Sequence, residues 1–173
     1  MLQIINNCMI YEPAEDSYLL QKFVKKLVKG KVLDMGTGSG IQGLSVKGEV
    51  LAVDINPEAV KVCKEKGLNC VQSDLFENVE GKFDWIIFNP PYLPEDEREP
   101  LDSRLATTGG QKGDELLKRF LSEAKEYLSS QGKILVLISS LTGEASELFS
   151  EYEWELLGSE KCFFEVLEVY MLW

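Results

Sequence analysis

The sequence predicts an α/β fold: a mostly parallel β-sheet covered by helices on both faces. Three observations carry that expectation. Apolar runs of strand length alternate with amphipathic stretches of helical period, a glycine-rich turn directly follows the first such run, and successive runs end on polar side chains, at Asp54, Asp74 and Asn89. In folds of this class, ligands sit at the carboxyl ends of the strands. At 173 residues the chain is expected to form one domain, 1–173, with an amino-terminal segment and helix over 1–30.

The elements follow in order. Over residues 13–29, Leu19, Leu20, Phe23, Val24, Leu27 and Val28 fall on one helical face, with Pro13 suited to the first turn and Gly30 to the end. Lys31-Val32-Leu33-Asp34-Met35 reads as a strand, Gly36-Thr37-Gly38-Ser39-Gly40 as a turn, and a short helical segment comes next. A second strand over 50–53 ends at Asp54, and Asn56-Pro57 opens a helix running to about Lys66. Strands over 69–72 and 83–88 come next. The stretch 93–113 holds Pro94, Pro100, Gly109 and Gly110 without apolar period, and is expected to be a substrate loop on the active face. A helix over 114–128 and a buried strand over 133–138 continue the alternation. A helix over 144–150 and an antiparallel pair over 154–157 and 164–172, turning around Gly158-Ser159, close the chain.

Composition narrows the function. Acids outnumber bases 29 to 18, for a net charge of -11, which disfavours a phosphate-binding surface. The sequence has no histidine, so the usual neutral-pH proton shuttle is missing, and any chemistry must use other groups or need no strong base. Cys8, Cys63, Cys70 and Cys162 show no metal-ligand spacing; no metal is expected, and the thiols are expected to be reduced. There is no leader-like amino terminus and no apolar run of membrane-spanning length, so the expectation is a cytoplasmic, soluble protein.

A glycine turn after a first strand serves nicotinamide, flavin and methyl-donor cofactors alike. Here the spacing is Gly36-x-Gly38-x-Gly40, preceded by Asp34 inside the strand. An acid there opposes a pyrophosphate but suits the cationic end of a methionine moiety, which favours S-adenosylmethionine, with S-adenosylhomocysteine as product. Asp54, twenty positions after Asp34, can accept both ribose hydroxyls, since Asn56 is available to cap the next helix. Asp74 is placed to accept from an adenine amino group, with the Leu75 backbone alongside.

Asn89-Pro90-Pro91-Tyr92, directly after Phe83-Asp84-Trp85-Ile86-Ile87-Phe88, joins a buried strand to a rigid polar clamp. The prolines fix their own φ and bias the preceding residues toward extended backbone, so the strand must stop and turn outward. Asn89 Oδ1 and the Pro90 carbonyl can accept both hydrogens of a planar NH2 group, while Tyr92 walls it. Asn89, Pro90 and Tyr92 are the candidate catalytic residues; Asn89, Pro90, Pro91, Tyr92 and Leu93 are expected around the acceptor, and Asn89 also beside the cofactor.

Val32-Leu33-Asp34-Met35-Gly36-Thr37-Gly38-Ser39-Gly40, Val53-Asp54-Ile55-Asn56-Pro57, Ser73-Asp74-Leu75 and Asn89-Pro90-Pro91-Tyr92 together resemble a class I methyltransferase. Tyr11-Glu12-Pro13-Ala14-Glu15-Asp16-Ser17 and Gly109-Gly110-Gln111-Lys112-Gly113 resemble the HemK-like protein-glutamine methyltransferases, in the short archaeal and eukaryotic branch that modifies the GGQ loop of translation termination (release) factors. The resemblance implies a Rossmann-like, seven-stranded sheet with the last strand antiparallel. It also implies Ser17 at the methionine end of the cofactor, where the family often has Thr, with Asp34, Gly36, Gly38, Asp54, Asp74 and Leu75 holding the rest. Bacterial relatives carry an amino-terminal recruiting domain for which this chain has no room; some relatives of the short branch pair with a small zinc-binding activator, implying a heterodimer here.

Adenine presents the same planar NH2 as glutamine, so adenine-N6 methylation of nucleic acid is the first alternative; protein-lysine methylation is the second, and a non-catalytic cofactor-binding subunit the third. The acidic charge and the lack of a basic arm disfavour nucleic acid. The intact clamp disfavours a non-catalytic role.

Overall fold

The computed structural model describes residues 3–5, 8–10, 12–94 and 107–173. In chain order these form β1 (Gln3–Ile5), β2 (Cys8–Ile10), α1 (Glu15–Leu27), β3 (Lys29–Met35), a 3-10 turn (Gly43–Ser45), β4 (Lys47–Asp54), α2 (Pro57–Glu65), β5 (Asn69–Gln72) and β6 (Phe83–Phe88). Next come β7 (Leu93–Pro94), β8 (Thr108–Gly110), α3 (Glu115–Ala124), a 3-10 turn (Lys125–Tyr127), β9 (Leu128–Ser139), α4 (Ala145–Leu148), β10 (Trp154–Cys162) and β11 (Glu165–Leu172).

Seven strands form one sheet in the order β10-β11-β9-β6-β3-β4-β5. β3 pairs in parallel with β4 and β6, β4 with β5, and β6 with β9, while β11 runs antiparallel between β9 and β10. This is the expected Rossmann-like sheet with its final strand reversed. β6 shows why the sheet needs cover on both faces: Ile86 joins a cluster with Phe76, Phe83, Phe88 and Phe120, and its neighbour Ile87 joins the opposite cluster with Leu20, Val24 and Leu135. α1 supplies Leu19, Leu20 and Val24 to the second cluster; its first turn carries Glu15 and Asp16 and its last Lys25 and Lys26, matching the helix dipole.

Several local expectations change. The hairpin does not turn at Gly158-Ser159: β10 runs through to Cys162, and Leu156 and Gly158 mark a register shift within it. A Cβ at Gly158 would lie 2.7 Å from Phe23 Cζ, so this glycine admits the α1 ring rather than making a turn. The amino-terminal segment holds the antiparallel pair β1–β2, which has no period long enough to be read in sequence. Asp114, a residue type suited to capping a helix, precedes α3 but makes no side-chain cap; it pairs with Lys118 at 2.6 Å. Glu115 instead accepts from the N–H groups of Lys112 and Gly113, at 3.0 and 3.1 Å. At the stretch 93–113, β7 and β8 pair in parallel, while Glu95, Asp96, Glu97 and Glu99 lie outside the described residues.

Candidate active site

The carboxyl ends of β3, β4, β5 and β6 open onto a cleft of about 330 Å³. Every sequence-predicted site residue lines it: Ser17, Asp34, Gly36, Gly38, Asp54, Asp74, Leu75, Asn89, Pro90, Pro91, Tyr92 and Leu93. The strand ends converge because parallel strands deliver all their carboxyl ends to one side.

At the floor, Asp34 is 1% exposed, with Oδ2 accepting from Thr37 Oγ1 at 2.6 Å and from the Gly43 N–H at 2.9 Å. Burial pushes its carboxyl up to about 6, the two hydrogen bonds working in the opposite direction. Gly36, Gly38 and Gly40 take positive φ of 61, 52 and 84°, which lets the chain turn sharply over this carboxylate. The Gly38 N–H donates to Asp54 Oδ2 at 2.8 Å and the Asn56 N–H to Oδ1 at 2.9 Å, so the turn and the end of β4 are tied together. Burial raises the Asp54 carboxyl above its ordinary range, against these backbone donors. Asn56 Oδ1 caps α2 through the Glu58 N–H at 3.0 Å, as expected, which leaves Asp54 to the cleft.

Asp74 is held more firmly than the sequence suggests: Arg119, reaching over from α3, donates to its Oδ1 at 2.8 Å. Leu75, next to it, has φ of 46°, a left-handed backbone that costs a non-glycine residue on the order of 1–2 kcal/mol. That cost sits at the cleft wall, in the turn that presents Leu75.

At the other end stands the clamp. Asn89 Nδ2 donates to Asp16 Oδ2 at 2.8 Å. An ionised carboxylate offers no hydrogen, so the amide must face Asp16 with its NH2, and Oδ1 is thereby turned away. Asn89 Oδ1 is buried and has no hydrogen-bond partner among the described residues, an unmet acceptor of the kind that folded proteins seldom leave. Burial first, then the charge of Asp16, raises the Tyr92 phenol above its ordinary value, so it stays protonated. Gly109 braces the clamp from outside, its Cα approaching so closely that a Cβ would lie 2.5 Å from the Pro91 carbonyl oxygen.

Among the cleft residues that sequence reasoning did not assign to the site, Asp16, Thr37, Gln42 and Arg119 make side-chain hydrogen bonds within it. Asp16 lay within the quoted opening motif, beside Ser17, but nothing marked it as reaching Asn89. Gln42, 4% exposed, donates from Nε2 to the Ser17 carbonyl at 2.9 Å and keeps Oε1 buried, without a partner among the described residues. Two orphaned buried acceptors, Gln42 Oε1 and Asn89 Oδ1, therefore belong to residues lining the same cleft; the Asn-Pro-Pro-Tyr motif announces the second, and no motif announces the first.

Comparison with known proteins gives the chain a family. The methyltransferase small domain family matches residues 15–154. A candidate protein N5-glutamine methyltransferase of Methanocaldococcus jannaschii is 50% identical over 147 residues, covering 78% of this chain and 75% of that protein. The release factor glutamine methyltransferase of Deinococcus radiodurans is 32% identical over 69% of this chain, and the chain spans about half its length, 49%. Among solved structures, the E. cuniculi Mtq2–Trm112 complex, responsible for methylation of the eRF1 translation termination factor, superposes with a TM-score of 0.76 at 25% identity, covering 94% of this chain and 97% of that one. By sequence and by fold, the chain belongs to the methyltransferase small domain family and, within it, to the HemK-like protein-glutamine methyltransferases.

Proposed function

We propose that this protein transfers a methyl group from S-adenosylmethionine to the side-chain amide nitrogen of a glutamine in the GGQ motif of a translation termination factor. The observation that carries the reading is Asn89 Oδ1, buried, unpartnered and oriented by Asp16. Such an acceptor is satisfied by an N–H that arrives with the substrate, and the Pro90 carbonyl beside it can take the second hydrogen of a planar NH2.

The cleft also fits the methyl donor. Asp34, Ser17 and Gln42 Oε1 supply negative or accepting groups for its charged methionine end; Asp54 keeps lone pairs for the ribose hydroxyls, and Asp74 and Leu75 flank the adenine. When bound, this group supplies an electrophilic methyl on a positively charged sulfur. The chain's own work is positioning: it must hold a nitrogen lone pair in line with that methyl. Amide nitrogen is a weak nucleophile because its lone pair is shared with the carbonyl. Hydrogen bonds from its NH2 to Asn89 and Pro90 raise electron density on nitrogen and stabilise the positive charge that develops there. The glutamine nitrogen would take the methyl, leaving the donor as a neutral thioether, and the methylated amide would release one proton to water. No base of ordinary strength is required, consistent with a chain without histidine. Tyr92, protonated, walls the acceptor without competing for that proton.

The acceptor reading draws on the names of the relatives and on the net charge of -11, which sets protein above nucleic acid. The solved relative is a complex with a second protein, which supports a small partner for this chain, of the zinc-binding activator kind that its sequence resemblance implies. Among the described residues no helix is long and apolar enough to cross a membrane; the inferred substrate, a translation factor, supports a cytoplasmic setting. Incubation with methyl-labelled S-adenosylmethionine, with and without such a partner, should label a termination factor but neither its Gln-to-Ala variant nor adenine-containing DNA. Label on DNA or on lysine would overturn the acceptor assignment.

A further inference from the structure

The β10–β11 hairpin closes on two adjacent phenyl rings: Phe163 is 90% exposed and Phe164 83%. Burying a phenylalanine is worth roughly 1.5–3 kcal/mol, so leaving two in water at one tip forgoes a substantial stabilisation. Phe163 also takes φ of 49°, a left-handed backbone disfavoured for any residue with a side chain, where glycine is the ordinary choice. Two costs meet at one spot that contributes nothing to the core.

The register locates the tip. Cys162 pairs with Glu165, and Leu167 pairs with Ser139 at the carboxyl end of β9, the end of the sheet on which the cleft opens. Glu165 accepts from Ser139 Oγ, which fixes the base of the tip. Cys162, on one side of the rings, and Tyr92 of the clamp pack against the same apolar cluster, and the charges of Asp16, Glu165 and Glu15 act on the Tyr92 hydroxyl. Glu160, exposed on β10, Glu15 at the start of α1, Asp16 and Glu165 all act electrostatically on Cys162, so the base from which the rings rise is acidic and lies at the end of the sheet on which the cleft opens.

The geometry points to a docking element for the acceptor protein: Phe163 and Phe164 receive an apolar side chain of a basic loop whose glutamine enters the Asn89 clamp, and Glu15, Glu160 and Glu165 attract its positive charge. The inference rests on the reading that the acceptor is a protein. Charge complementarity selects this occupant: the base of the tip is acidic as the whole chain is, which works against a second copy of it, against a nucleic acid and against an anionic membrane. Continuity with the clamp sets it apart from a surface for a remote partner.

The test compares the wild type with Phe163→Gly/Phe164→Ser, in which glycine suits the backbone at 163, and with Glu160→Lys as an independent charge variant. Kinetics are measured on an intact termination factor and on a short GGQ peptide. The expected result is a rise of tenfold or more in KM for the intact factor in both variants. The kcat, the cofactor affinity by calorimetry, the melting temperature and kcat/KM for the short peptide should remain unchanged. An active wild type with unchanged KM in the variants overturns the docking role alone. Loss of self-association or of a small partner, with KM unmoved, overturns it equally. A wild type that methylates DNA and no protein overturns the glutamine reading, and this inference with it.

Discussion

Asp16 and Asn89, 73 positions apart in the chain, share a hydrogen bond of 2.8 Å that decides which face the Asn89 amide presents to the cleft. Asp16 is 5% exposed and lies in the first turn of α1, so the helix packed across the sheet reaches the end of β6 and fixes the rotation of its terminal side chain. The Asn89 amide is thus oriented from a different layer of the fold.

Replacing Asp16 with Ala removes that constraint. Asn89 can then turn its NH2 into the cleft, where it repels an incoming N–H. A loss of about 10²-fold in kcat is expected, of the size seen when reacting groups are misplaced. Asp16→Asn, near in shape but able to donate as well as accept, should fall between. Steady-state kinetics alongside a thermal melt separate this orienting effect from unfolding.

Asn89→Ala is expected to reduce transfer by about 10²–10³-fold or more while leaving cofactor affinity within a few-fold, because the lost acceptor serves the substrate. Asp54→Ala should do the reverse, weakening cofactor binding in calorimetry. Equal loss of cofactor affinity in both variants would contradict the division of the cleft into two ends.

Asp34 gives the unliganded protein a defined pH response. Its carboxyl, at about 6 in the fold against 3.8 ordinarily, holds its proton more tightly when folded. The sign follows: its contribution to stability is fully present below about pH 4 and is lost as the pH rises to about 6, a change on the order of 3 kcal/mol. Denaturant titrations of wild type and Asp34→Asn should show a stability difference that shifts across that window and flattens above it. A cationic ligand prefers the ionised carboxylate, so cofactor affinity should weaken as the pH falls below about 6.

Gly109→Ala introduces a Cβ 2.3 Å from the Gly113 carbonyl oxygen and 2.5 Å from that of Pro91, both backbone atoms with little room to yield. It should destabilise by about 1–3 kcal/mol, as overpacking does, and lower kcat by displacing the clamp, with cofactor affinity retained. Thermal melts and calorimetry check the two effects separately.

Much of this was legible before any coordinates. The strands over 69–72 and 83–88 coincide with β5 and β6, because short apolar runs bounded by turn residues leave few alternatives. The polar strand ends reach one cleft, since parallel topology brings carboxyl ends together. What stayed hidden is non-local. The pairing of Asp16 with Asn89, the hold of Arg119 on Asp74 and the closeness of Gln42 to Ser17 depend on how layers stack, and sequence spacing carries no trace of that. The hairpin was misread for a local reason: Gly158 resembles turn glycine, but its small size serves the Phe23 ring, while the actual turn uses Phe163 and Phe164, residues no turn rule selects.

The central claim is that the unmet Asn89 acceptor is built for a glutamine side-chain amide, and tandem mass spectrometry of a termination factor treated with the protein and S-adenosylmethionine tests it most directly. A single methyl on the side-chain nitrogen of the GGQ glutamine, absent when Asn89→Ala is used, is the result predicted. A methyl on lysine, or one on glutamine that persists undiminished in Asn89→Ala, would contradict it.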